Sequence, residues 1–73
     1  MSVFAKRIET LMKENGLNIK EMSEKTGIST SSFGDWIRND HFPNGFNLIK
    51  LSQAFDVSTD WLLEISNFRK VKR

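Results

Sequence analysis

Cysteine is absent from the 73 residues, which excludes disulfides and thiolate metal sites as the means of holding the chain together. The core is left to six phenylalanines, two tryptophans and the aliphatic side chains. No apolar run approaches the roughly 20 residues that a bilayer span requires. The opening MSVFAKRIET turns charged at Lys6 before the apolar stretch of a secretory signal can form. These absences suit a reducing cytoplasm and leave no membrane partner to expect. His41 is the one histidine, with no cysteine or clustered carboxylates beside it, so no metal site is expected. The acidic residues are scattered without an acid–base pair and no nucleophile has an activating neighbour, which argues against an enzyme and implies no cofactor. Strand-type alternation, internal repeats and low-complexity tracts are missing as well.

Positive charge is also scarce over most of the chain. Arg69, Lys70, Lys72 and Arg73 stand in the last five positions, and removing these four from the net +2 leaves residues 1–68 at −2. Overall charge therefore gives weak support to phosphate binding, and any nucleic-acid reading rests on where individual residues stand. What remains is an ordinary globular composition, 38% hydrophobic and 27% charged, at a length that allows a single core.

The apolar residues recur at helical spacing. Val3, Phe4, Ile8, Leu11 and Met12 predict a first helix ending at Gly16, where glycine supplies a left-handed cap. Asn18, with Glu21 three residues on, predicts an N-cap with a capping-box carboxylate, and Ile19, Met22 and Thr26 give this second helix its inward side. Gly27 stops it, Ile28 plugs the turn, and Ser29 caps a third helix by accepting from the amide of residue 31 or 32. That helix turns Phe33, Trp36 and Ile37 inward and runs to about Arg38, with Asn39 as its left-handed cap. DHFPNG, with Pro43 and Gly45, is a loop. Leu48, Ile49, Leu51, Ala54 and Phe55 form a fourth inward stripe. Ser58 caps a fifth helix whose inward residues are Trp61, Leu62 and Ile65, with Asp60 suiting the dipole of its first turn. Trp36 and Trp61 read as core anchors rather than stacking platforms.

Two short helices joined by a glycine-containing turn form a helix-turn-helix, here at about residues 18–39, whose second helix can enter the major groove of DNA. Small Ser23, four residues before Gly27, lets the two helices approach. The stretches GLNIKEMSEKTGIS, FPNGFNLIKLSQAF and DVSTDWLLE resemble, in order and spacing, parts of the phage repressor and Cro type of helix-turn-helix domain, the Xre family. The resemblance covers residues 4 to about 65. It implies an all-α, compact five-helix, lambda-repressor-like DNA-binding domain over residues 1–66, with residues 67–73 as a basic tail. It also implies a transcriptional regulator that binds double-stranded operator DNA, near-palindromic in sequence, as a homodimer.

Carried over by position, Thr30, Ser31, Ser32 and Asp35 match the places from which the family reads base edges, and Ser29 stands beside them at the helix start. Asn18, Lys20, Arg38 and Asn47 match its phosphate-contact places, joined by Ile19 at the start of the second helix. Hydroxyls in a first helical turn can donate or accept at any base, and the Thr30 methyl can lie on thymine. The start of the second helix offers free amides to a phosphate.

The chain also departs from the family pattern. Ile19 and Thr30 stand where the family often has glutamine, and hydroxyls discriminate less, which shifts specificity toward backbone fit and DNA shape. Asp35 repels phosphates and either accepts from a cytosine amino group or serves as a structural acceptor. Met12 and Ile37 replace an Arg–Glu pair of many relatives, predicting an apolar contact that needs no desolvation of charge. The loop NDHFPNGF holds no Lys or Arg, so a second copy is needed for strong binding. Phe42 and Phe46 either fold back over the core or form a hydrophobic patch for a dimer or another partner. The FRKVKR end is either a solvated terminus or the start of a linker to an oligomerisation domain.

The expectation is a phage or prophage repressor working in the bacterial cytoplasm. The rival is a protein-interaction module of the same fold, whose third-helix face binds an anti-repressor, a toxin or another protein. The acidic balance, Asp35 and the missing glutamines favour it.

Overall fold

Each helix begins where a short polar side chain can take over an amide that has no partner within the helix. In the computed structural model, which describes residues 2–63, Ser2 caps α1 (Val3–Asn15), its Oγ accepting from Ala5 N at 3.1 Å. Asn18 caps α2 (Ile19–Thr26), accepting from Glu21 N at 2.8 Å while the Glu21 carboxylate accepts from Asn18 N at 3.0 Å, a complete capping box. Ser29 caps α3 (Thr30–Asn39) and Asn44 caps α4 (Gly45–Phe55). Ser58 caps α5 (Thr59–Leu62). Ile65 and the basic tail lie outside the described residues.

Gly16 and Gly27 end α1 and α2 in the left-handed conformation, with φ of 63° and 75°. The expected third cap is corrected by one residue: Asn39 stays helical and Asp40 adopts φ 56°. Both residue types tolerate this conformation. The Ser2 N–H, which donates to Asp40 Oδ1 at 2.8 Å, ties that residue to the start of α1.

The core gathers Phe4, Ile8 and Leu11 from α1, Met22 from α2, Phe33 and Trp36 from α3, Leu51 from α4, and Trp61 and Leu62 from α5, with Ile28 and Val57 from the turns. Phe4 and Phe33 meet the Trp36 ring edge-on, with centroids 5.3 and 5.1 Å away. The Arg7 guanidinium lies 4.5 Å from the centroid of the Trp61 ring. Both tryptophans are thus core residues, as their spacing predicts. Met12 and Ile37 pack as apolar groups against this core. Helix α3 packs on α1 and α2, α2 on α4, and α5 on α1 and α4.

A second correction concerns Ile49, which is 52% exposed rather than inward. Apolar residues encircle most of α4, but only the row of Leu48, Leu51 and Phe55 reaches the core. Ile49 lies to one side of that row and Phe46 opposite it.

Candidate nucleic-acid interface

The turn between α2 and α3 is fixed from inside. Ile28 is buried, its N–H donates to Thr26 Oγ1 at 3.2 Å, and that hydroxyl donates to Met22 O at 2.7 Å. From α4, Lys50 Nζ donates to Gly27 O at 3.4 Å. With Phe33 and Trp36 locked in the core, the opposite side of α3 faces outward. Helical spacing places Ser31, Asp35 and Arg38 in a row along it.

The four hydroxyls at the start of α3 divide into two pairs. Ser29 Oγ accepts from Ser32 N at 3.2 Å and lies 2.9 Å from Ser32 Oγ, so these two serve the cap. Thr30 and Ser31 are exposed, and among the described residues no hydrogen bond engages their hydroxyls. They are the members of the predicted set best placed to meet a ligand.

Asp35 is organised by its neighbours. Asn39 Nδ2 donates to its Oδ1 at 2.9 Å, and His41 Nδ1 lies 2.8 Å from its Oδ2. These contacts, Asn39 first and His41 second, hold the carboxyl below its ordinary range, since each favours the ionised form. The structural-acceptor role is therefore the one Asp35 fills in this structure. Asn39 and His41 enter the site although sequence reasoning assigned them no part in it. The i,i+4 spacing of Asp35 and Asn39 was the available signal.

Arg38 is exposed at the same face, its guanidinium folded back over Gly34. At the start of α2, the capping box occupies the Asn18 N–H and holds the Glu21 carboxylate at the helix start. The amides of Ile19 and Lys20, in the first turn, are the ones left for an anion. Asn47 stands in the first turn of α4, its N–H donating to Asn44 Oδ1 at 2.8 Å.

The two loop phenylalanines part company. Phe42 is 64% exposed but leans on the core, its ring centroid 6.2 Å from that of Phe4. Phe46 is 79% exposed and shares a shallow apolar depression with Ile49, bordered by Asn44 and Gly45. Among the described residues no cluster of His, Asp or Glu is arranged to hold a metal, and no helix is long and apolar enough to cross a membrane.

Residues 8–62 match the helix-turn-helix family model. The chain is 29% identical over 65 residues to the uncharacterised HTH-type transcriptional regulator YobD of Bacillus subtilis, covering 89% of this chain and 58% of that protein. It is 34% identical over 58 residues to the HTH-type transcriptional regulator ImmR of the same organism, covering 80% and 46%. It is 31% identical over 62 residues to repressor protein C2 of Salmonella phage P22, covering 85% and 29%. The matched segment thus spans from under a third to just over half of these relatives. No solved structure matches the chain.

Proposed function

The chain belongs to the Xre-type helix-turn-helix family, and we propose that it is a sequence-specific DNA-binding regulator of transcription, a phage or prophage repressor that blocks transcription by occupying an operator. The observation that carries this reading is the outward face of α3. Its first turn offers two uncommitted hydroxyls, Thr30 and Ser31, on a helix whose opposite side is locked into the core.

In this reading α3 lies in the major groove and its start meets base edges. Thr30 and Ser31 exchange hydrogen bonds with bases, and the Thr30 methyl can pack on a thymine methyl. The free amides of Ile19 and Lys20, with the Lys20 ammonium, take a phosphate and set the register of α3, a contact that positions without specifying sequence. Asn47 adds a neutral donor to the backbone. Specificity then combines short hydroxyl contacts with the shape of the duplex.

The dimensions support a dimer on a two-fold site. The longest extent of the described residues is 31 Å, shorter than the roughly 34 Å between successive major grooves on one side of B-form DNA. One copy presents one recognition helix, so a near-palindromic operator takes two. Phe46 and Ile49 supply an exposed apolar surface for the contact between them. The rival protein-binding reading draws on the Glu21 and Asp35 carboxylates at the same face.

Selection from random duplex DNA at low salt tests the reading, run with the 73-residue chain and with a Thr30→Ala, Ser31→Ala double variant. An enriched two-fold site bound by the parent and lost or degraded by the variant is expected. A parent that enriches no site while capturing a protein partner in a salt-insensitive complex overturns the reading.

A further inference from the structure

Gly34 sits in the middle of α3 and is buried, although the residues around it on that side are exposed. What covers it is Arg38. A Cβ added at Gly34 would overlap Arg38 Nη2 and stand 3.1 Å from Cζ and 3.5 Å from Nε, so the three nearest atoms all belong to that guanidinium. Long helical side chains lean toward the helix N-terminus, which brings residue 38 back over residue 34. The missing side chain is therefore the seat of the charge. It moves the cation from the end of α3 to the middle of the outward face, beside Ser31 and Asp35.

The guanidinium is also uncommitted. Among the described residues neither a hydrogen bond nor an ion pair engages it, and the neighbouring Asp35 carboxylate is engaged by Asn39 and His41. A planar fork of five donors matches the paired acceptors O6 and N7 of guanine. In a helix-turn-helix the N-terminal part of the recognition helix meets base edges, and folding back over Gly34 carries the guanidinium from the last turn of α3 toward that part.

From this geometry, and resting on the DNA-binding reading above, we propose that Arg38 reads a guanine in the major groove and that Gly34 determines this specificity by seating the guanidinium. Phosphate is the other acceptor with the same chemistry, and it gives a different result in the test.

The experiment measures binding of the 73-residue chain to its selected duplex, and to duplexes changed one base pair at a time, at several salt concentrations. The variants are Gly34→Ala, Arg38→Ala and Arg38→Lys. Gly34→Ala improves helix propensity, and the added methyl meets only the far end of a flexible side chain, so the fold survives; circular dichroism verifies this. The parent should prefer G·C at one position by about 5- to 150-fold. All three variants should lose that preference while keeping the others. Arg38→Ala weakening every duplex alike, with the salt slope reduced by about one, overturns the proposal in favour of a phosphate contact. Gly34→Ala retaining the guanine preference overturns the role of the notch. A parent that selects no DNA overturns the DNA-binding reading and this inference with it, a failure visible before any variant is made.

Discussion

Phe33 and Phe46 differ only in where the fold puts them, and replacing each with alanine should have opposite consequences. Phe33 is fully buried, with its ring centroid 5.1 Å from that of Trp36. Removing such a ring from a core costs about 3–5 kcal/mol. Stabilities of about 0.05–0.15 kcal/mol per residue give a 73-residue chain a total of roughly 4–11 kcal/mol. Phe33→Ala therefore consumes between a quarter and all of it. At about 4–8 °C per kcal/mol for a domain of this size, the melting temperature should fall by at least about 12 °C. Phe46, 79% exposed, has little burial to lose, so Phe46→Ala should stay within about 0.5 kcal/mol of the parent. Urea unfolding followed by circular dichroism at low protein concentration measures both. A Phe33→Ala loss below about 1 kcal/mol, or a Phe46→Ala loss above it, refutes the placement of these rings. Phe46→Ala should instead weaken assembly of two copies on a two-fold site, read as lost cooperativity in a DNA titration.

Three further outcomes follow from local geometry. Asn18→Ala removes one half of the capping box and should cost about 1 kcal/mol in urea unfolding, whereas Asn18→Gly should cost only a few tenths. Gly27→Ala meets nothing within 4 Å, so its cost is conformational, about 1 kcal/mol for a left-handed alanine; a neutral result in the same assay would contradict the φ of 75°. Asp35 has a depressed folded pKa, so its contribution to stability is present above the unfolded value of about 3.9 and disappears as pH falls through the lower folded value. Asn39→Ala should raise the Asp35 titration toward the ordinary carboxylate range, and an unchanged carboxyl titration by NMR would show that Asn39 is not the main cause.

Most of the fold is legible because its boundaries are chemical. Gly16 and Gly27 can be left-handed at little cost, Asn18 with Glu21 forms a box, and Ser29 and Ser58 cap, all through interactions spanning four residues or fewer. Misplaced features depend on distant groups. Asn39 and Asp40 tolerate the same backbone, and the amide of Ser2, 38 residues earlier, marks the one used. Ile49 belongs to a helix apolar almost all round, where periodicity cannot say which side meets α2 and α5. At the site, the hydroxyls of α3 stand where their spacing predicts, but a string of four cannot reveal that Ser29 and Ser32 spend theirs on each other. Of the two partners of Asp35, Asn39 stands at helical spacing, but His41 lies beyond the helix end and comes within reach only when the chain turns at Asp40.

The two sides of α3 answer to separate demands, and that bears on how such a protein changes over generations. Phe33 and Trp36 are held by the core, so drift there is penalised by unfolding whatever the target. Ser31, Asp35 and Arg38 project away from it, and exchanging them leaves the interior packing alone. Surface substitutions typically shift stability by no more than about 0.5 kcal/mol, so under the proposed DNA-binding function new operator preferences can be sampled without first acquiring compensating mutations. A lineage can thus retarget its DNA site through a few outward positions while its scaffold stays constant. The same separation makes α3 a practical starting point for a library of altered binders, randomised at these outward positions.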